Sequence, residues 1–334
     1  MTTVAVLGGG SWGTALAVHL ARVGHAVRLW AREPELVADM IARRVNDVFL
    51  PGVMLPPSVE PCGAMPDALA GADLVVAVAP SHGSRLVLRA AAPFIERRGT
   101  IISATKGLEV DTLMRNSQVI AQEVGGNRPI VVLSGPSFAA EVARQMPTAV
   151  SVASCDQAAA ERVQAEFRAR YFRLYTTDDV VGVEVGAALK NVIAIAAGVV
   201  DGLGLGQNAL AALITRGLAE ISRLAGALGG RRETLAGLAG LGDLVLTCTG
   251  SLSRNRHVGI ELGRGRSLDE ILGGMQMVAE GVKTTGAALE LGARHGVELP
   301  IAAQMAEVLG GRKDPRVAVE ELMLRPQRVE SDPR

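Results

Sequence analysis

The chain is short of thiols. Its three cysteines, Cys62, Cys155 and Cys248, stand far apart, and no pair has the C-x-x-C spacing of a zinc ribbon or a dithiol redox site. Three scattered thiols in 334 residues fit a reducing compartment and not a disulfide framework. Net charge is also absent, because 34 Lys and Arg balance 34 Asp and Glu. A neutral chain has no global electrostatic footprint for nucleic acid or an anionic membrane, so any anion site has to be local. Long apolar runs are missing too. The longest, residues 192–200, is bounded by Lys190, Asn191 and Asp201 and is too short to span a bilayer. The start, Met1-Thr2-Thr3-Val4, lacks the basic segment of a signal peptide. The expectation is a cytoplasmic protein with no integral membrane segment and no nucleic-acid partner. Five scattered histidines offer no metal cluster, and there is no P-loop, HExxH or Ser-His-Asp spacing. No metal is expected.

What is present points to two domains of ordinary size, with 49% of residues hydrophobic and 20% charged. The first half alternates short apolar runs with helical stretches. Residues 3–7, 26–30, 74–79, 100–104, 129–133 and 148–153 read as strands, and 12–23 as a helix stopped by Gly24. The runs are β-branched and continuous, as in strands buried on both faces of a parallel sheet. Strand–helix alternation predicts a doubly wound α/β domain. From about Val180 the texture changes, and Ala, Leu, Gly and Glu dominate. Residues 181–200, 208–228, 231–239, 268–272, 284–295 and 300–309 read as helices. The predicted division is 1–179, then an all-helical 180–326, then a loose polar tail at 327–334. Thr176-Thr177-Asp178-Asp179 is a suitable N-cap region at the boundary.

Gly8-Gly9-Gly10-Ser11-Trp12-Gly13 contains G-x-G-x-x-G at Gly8, Gly10 and Gly13, after a strand and opening a helix. In that context the glycines let backbone approach a pyrophosphate at a helix N-terminus. The second strand runs into Arg32, with Glu33 beside it. Arg32 either meets a ribose 2′-phosphate or is a solvated surface arginine. Further strand ends bring Lys106 and the loop Ser134-Gly135-Pro136-Ser137-Phe138, which leads into a helix at Ala139. In open α/β sheets ligands sit at such ends. Lys190 lies inside an apolar helix, and its i±3 and i±4 neighbours Gly186, Ala187, Ile193 and Ala194 include no acid. A buried ammonium needs a distant partner or has its pKa lowered, which suits proton transfer; the alternative is a lysine whose stem reaches water. Asp243 is a carboxylate in a Gly-flanked apolar segment. Ser253-Arg254-Asn255 opens a dense donor cluster fit for a phosphate, or a solvated loop. The run from Val278 through Glu280 to Lys283 has no physical reading.

Taken in order, GGGSWGTALA from Gly8, SATKGLE from Ser103, LSGPSFAAEV from Leu133, GAALKNVIA from Gly186, GLGDLVLTCT from Gly240 and SRNRHVG from Ser253 resemble the bacterial-type NAD(P)-dependent glycerol-3-phosphate dehydrogenases. The likeness covers almost the whole chain. It implies a Rossmann-like domain followed by a helical one, and hydride transfer between NAD or NADP and a phosphorylated small molecule. That reaction interconverts dihydroxyacetone phosphate and glycerol 3-phosphate, and supplies the latter for glycerophospholipid synthesis. The family's proton donor falls on Lys190. Its substrate contacts fall on Lys106, Gly135, Ser137, Lys190, Asp243, Ser253, Arg254 and Asn255. Its cofactor contacts fall on Ser11, Trp12, Arg32, Lys106, Ala139, Arg254, Val278 and Glu280, beside the glycine loop. Lys106 and Asp243 are expected to assist Lys190 in catalysis, and a homodimer is left open. A 3-hydroxyacid or 6-phosphogluconate-type dehydrogenase is the near rival, and a non-catalytic NAD(P) sensor the distant one.

Overall fold

The computed structural model describes residues 2–97, 99–125, 128–275, 277, 279–327 and 329–330. Ten strands follow in chain order: β1 (Thr3–Leu7), β2 (Ala26–Trp30), β3 (Val45–Asn46), β4 (Leu50–Met54), β5 (Val59–Cys62), β6 (Leu74–Ala77), β7 (Thr100–Ser103), β8 (Ile130–Ser134), β9 (Thr148–Ala153) and β10 (Phe172–Thr177). β3 and β4 form a small antiparallel hairpin, and the other eight lie in the order β10-β9-β8-β7-β6-β1-β2-β5. Side chains alternate across a strand, and both faces of this sheet are dry along its interior. Val4 and Val6 of β1 join one core and Ala5 and Leu7 the other. Helices α1 (Ser11–Arg22), α2 (Pro34–Arg43), α3 (Met65–Leu69), α4 (Ser81–Ala91), α5 (Asn116–Val124), α6 (Ala139–Ala143) and α7 (Gln157–Phe167) fill the connections. The order reverses at β1, which pairs with β2 on one side and β6 on the other. A crevice opens at the carboxyl ends of strands at such a switch point.

The sheet is not wholly parallel. β8 and β9 pair antiparallel, with β10 parallel to β9. The two strands of this sheet that the sequence reading omitted, β5 and β10, are its two edges. β5 contains Pro61 and β10 has a half-exposed pattern, as edge strands allow.

Beyond Thr177 every named element is helical: α8 (Val180–Gly202), α9 (Gly206–Ala227), α10 (Arg232–Leu235), a π-helical turn (Leu238–Gly242), α11 (Asp243–Thr249), α12 (Arg254–Gly263), α13 (Leu268–Gly273), α14 (Glu280–Arg294), α15 (Pro300–Leu309) and α16 (Pro315–Met323). Asp179 caps α8 by accepting from Gly182 N at 2.8 Å. Among the described residues, α8 is by length and composition apolar enough to cross a membrane, and the bent pair from α10 to α12 would pass only if counted as one span; α8 lies mostly buried in the protein, as the central helix of the second core. α12 crosses it backbone to backbone: a Cβ on Gly198 would stand 2.0 Å from Arg256 O, and one on Gly259 1.9 Å from Ile195 O. Only glycine permits that approach, and it lays the start of α12 against the middle of α8.

One helical reading needs correction, and one open alternative is closed. The single helix expected over 231–239 breaks after Leu235, and the chain re-enters helix through the π-helical turn that leads into α11. The donor cluster at Ser253 is no loop; Ser253 caps α12, accepting from Arg256 N at 3.2 Å. Part of the tail read at 327–334 lies outside the described residues.

Candidate active site

Four segments converge on one carboxylate. Lys106 follows β7, in a segment fastened to the one after β6 by Thr105 Oγ1 donating to Ala79 O at 2.8 Å. Gly135 and Ser137 follow β8. Asp243 opens α11, and Lys190 lies in mid-α8. Lys106 Nζ stands 2.8 Å from Asp243 Oδ2, and Lys190 Nζ 3.0 Å from Asp243 Oδ1. Lys106 also donates to Gly135 O at 2.8 Å and to Ser137 Oγ at 3.3 Å. Lys190 and Asp243 are almost sealed from solvent, at 5% and 1% exposure. Burial above all, with help from Lys106, pulls the Lys190 ammonium down to about 8, against the opposing attraction of Asp243. A lysine so tuned can give up and regain a proton near neutral pH.

Thr247, which the sequence reading missed, completes the Lys190 cradle. Its Oγ1 accepts from Lys190 Nζ at 2.8 Å and donates to Asp243 O at 2.5 Å. The signal was available, because Asp243 and Thr247 are four apart and share a helix face.

The glycine loop forms a second centre. Gly8 has φ +138°, and a Cβ on Gly13 would lie 1.9 Å from Gly8 O, so α1 packs onto its own entry turn. In front of Gly10 a Cβ would meet nothing within 4 Å, and no side chain caps α1. Free helix N–H groups facing open space suit a pyrophosphate. Ser11 Oγ is engaged with Phe49 O at 2.6 Å, while the buried Trp12 Nε1 has no partner. Asn46, unforeseen, braces the loop by donating to Gly9 O and Thr14 Oγ1, both at 2.8 Å.

The remaining residues divide. Arg32 lies on the rim, 82% exposed and paired with Glu33 at 2.9 Å. Ala139 heads α6, whose N-cap has no side-chain hydrogen bond. Arg254 is the exposed first residue of α12. Asn255 is occupied within the protein, donating to Asn191 Oδ1 at 3.0 Å and accepting from Gly281 N at 2.9 Å. Glu280, unreadable from sequence, opens α14 and accepts from Ser81 N at 3.0 Å and Ser81 Oγ at 2.6 Å, across the two halves. Val278 lies outside the described residues.

The chain matches the family profile for the N-terminus of NAD-dependent glycerol-3-phosphate dehydrogenase over residues 3–160, and the profile for its C-terminus over residues 179–320. It is 55% identical over 334 residues to an NAD(P)+ glycerol-3-phosphate dehydrogenase of Koribacter versatilis, covering 99% of each chain. A protein of the same name from Geobacter metallireducens is 55% identical over 331 residues, covering 98% of each. The crystal structure of glycerol-3-phosphate dehydrogenase from Coxiella burnetii superposes with a TM-score of 0.94 at 42% identity, covering 97% of this chain and 99% of that one. A ketopantoate reductase from Ralstonia eutropha, at 16% identity and a TM-score of 0.59, shares the fold alone. With both of its profiles satisfied and relatives above half identity along its length, the chain belongs to the family of NAD-dependent glycerol-3-phosphate dehydrogenases.

Proposed function

We propose that this chain interconverts dihydroxyacetone phosphate and sn-glycerol 3-phosphate with NAD or NADP. The observation that carries the reading is the buried Asp243 carboxylate shared by Lys106 and Lys190. The glycine loop, with Glu280 across the cleft, fits a dinucleotide, which supplies or takes up the hydride when bound. During reduction the substrate's C2 oxygen gains negative charge. Lys190 donates a proton to it, Lys106 stabilises the charge before transfer is complete, and solvent later reprotonates Lys190. Asp243 orients both ammonium groups and keeps Lys190 protonated at neutral pH. Ser137 and the Gly135 backbone hold the substrate's hydroxyl end. Arg254 holds its phosphate, with Ser253 and Asn255 fixing the start of α12 that presents it, which makes up locally for the chain's lack of net charge.

The same reading assigns dinucleotide binding to residues 1–179 and substrate capture to 180–326. It places the protein in the cytoplasm, supplying glycerol 3-phosphate for glycerophospholipids. The exposed apolar residues Val317, Met323 and Leu324 support a homodimer, which sedimentation at micromolar concentration would register.

The test is NADPH and NADH oxidation with dihydroxyacetone phosphate and unphosphorylated dihydroxyacetone, run beside the reverse reaction with 3-hydroxyacids and 6-phosphogluconate. Turnover on dihydroxyacetone phosphate is expected, with weak use of dihydroxyacetone and none of the 3-hydroxyacids or 6-phosphogluconate. Arg254→Ala should weaken use of the phosphorylated ketone by about 1.5–3 kcal/mol in kcat/KM, the scale of a hydrogen bond to a charged group, and barely alter dihydroxyacetone. Preference for a 3-hydroxyacid, or equal losses on both ketones, defeats the reading.

A further inference from the structure

The segment that brings Lys106 into the site is fastened to the helix that carries Lys190. After Lys106 the chain makes a tight excursion through residues 107–115 before α5. Leu108 bridges Arg115 antiparallel, Glu109 N donates to Met114 O at 3.0 Å, and Leu113 holds φ +62°. Arg85 grips Glu109 from α4 at 2.6 Å. The buried Asn116 donates through Nδ2 back to Gly107 O at 3.0 Å. The base of the excursion is closed from the other half of the molecule by Glu184. This residue belongs to α8, less than two turns before Lys190, and is 4% exposed. Its carboxylate accepts from Ser117 N at 2.8 Å, Ser117 Oγ at 2.5 Å and Arg115 Nη1 at 2.6 Å.

These contacts form a ring. Glu184 and Lys190 share α8; Glu184 holds Arg115 and Ser117; Asn116, between them, holds Gly107; Gly107 follows Lys106; and Lys106 meets Lys190 on Asp243. A helix start is ordinarily capped by a local Ser, Thr, Asp or Asn. Here the residue at the N-cap is Arg115, and a carboxylate from α8 reaches the first turn of α5. Burying that charge is costly in isolation, and a local cap would satisfy α5 without tying it to α8.

We propose that Glu184 is a positioning residue, which sets the separation of Lys106 and Lys190 by holding residues 107–117 against α8. The inference rests on the roles proposed above for those two lysines. It has a signature that plain structural support lacks. Lys106 is the cation that helps strip the proton from Lys190. If the tether loosens, Lys106 retreats, and Lys190 keeps its proton to higher pH. The other groups acting on Lys190 are Asp243 and Cys248, both of α11. The Cys248 thiol is pushed up to about 12 by burial and stays neutral. Of the charged residues on other helices packed against α8, Arg256 of α12 is paired with Asp201, Glu280 of α14 with Ser81, and Glu220 of α9 with the start of α15. Arg254 is the other charge near the site on α12.

The experiment compares full-length Glu184→Gln, Ser117→Ala and Lys106→Met with the native protein. It reads kcat for dihydroxyacetone phosphate reduction against pH, NADPH affinity, and thermal melting. For Glu184→Gln, kcat should fall roughly 10-fold, less than the ~10²-fold of a full 1 Å misplacement. The alkaline limb of its profile should move up by about half a pH unit, with NADPH affinity within about twofold. In a Lys106→Met background Glu184→Gln should add no further loss. If Glu184→Gln does not fold, Ser117→Ala, which removes one hydroxyl and leaves the Arg115 pair, should show the same directions at smaller size. A lower melting temperature with kcat and limb unmoved overturns the proposal, as does a lower kcat with an unmoved limb. Native turnover in Lys106→Met sinks the reading of the site and this inference with it. Depressed turnover there beside a silent Glu184→Gln and a silent Ser117→Ala sinks the tether alone.

Discussion

Lys190 Nζ stands 3.0 Å from Asp243 Oδ1, on a carboxylate whose other oxygen is held by Lys106 at 2.8 Å. One negative charge faces two positive ones, so the cluster has one positive charge in excess, placed to stabilise negative charge that develops during reaction.

Replacing that shared charge moves the pH dependence in a defined direction. Asp243 is the group that raises the proton affinity of Lys190, against burial and Lys106. In Asp243→Asn the Lys190 pKa falls below about 8. Reduction needs the protonated lysine, which predominates only below its pKa, so the alkaline limb of kcat retreats to lower pH. At pH 7.5 the loss should reach ~10²-fold, the lower end of general acid–base contributions. A pH series from acid to alkaline reads it, and a limb that stays where it was refutes the role.

Lys190→Met keeps the volume of the stem and removes the proton. NADPH titration should be nearly unchanged while kcat falls at least ~10²-fold. A variant within a few-fold of native turnover would show that the proton comes from elsewhere.

At Arg32 the structure shrinks the effect that the sequence suggests. A guanidinium that pairs with a 2′-phosphate contributes about 1.5–3 kcal/mol when well engaged. This one is 82% exposed and already paired with Glu33, so Arg32→Ala should weaken NADPH relative to NADH by under ~1 kcal/mol, and less as salt rises. Fluorescence titration of both cofactors at two ionic strengths measures it. Equal weakening of NADH would place Arg32 against a part common to both dinucleotides.

Glu220 gives a stability prediction away from the site. Its buried carboxyl accepts from Ile301 N at 2.7 Å at the start of α15, and burial raises it from 4.5 to about 7. Between those values the folded state holds a proton that the unfolded chain has released. Stability from this group is therefore full below pH 4.5 and is lost as pH rises toward 7. Glu220→Gln should flatten the change in urea stability between pH 5 and 8 by on the order of 3 kcal/mol. Parallel native and variant curves would contradict it.

Much of the frame is legible in the chain, for physical reasons. β1, β2 and β9 fall at the residues their apolar runs mark, because interior strands need apolar side chains on both faces. The edges β5 and β10 escape because one flank is free of that demand. Lys190 is legible because its helical neighbours are apolar, which is a local fact. Its partner Asp243 is not, lying on another helix, and the other contacts across the site are more distant still: Lys106–Asp243 spans 137 residues and Ser81–Glu280 199. Arg254 and Asn255 look alike in sequence as donors. Only the fold separates an arginine at the open start of α12 from an amide already holding α8 to α14.

The glycine crossing of α8 and α12 also bears on how the protein is born. The ribosome delivers all eight strands of the large sheet, through Thr177, before it delivers Gly259. At about 5–20 residues per second the interval lasts seconds. For most of it Lys190 exists on an apolar helix that has no α12 to close against. Close backbone approach then lets the two helices lock with little sorting of rotamers, since neither Gly198 nor Gly259 has a side chain to place. This wall of the site thus arrives after the strands, on a seam shaped to accept it.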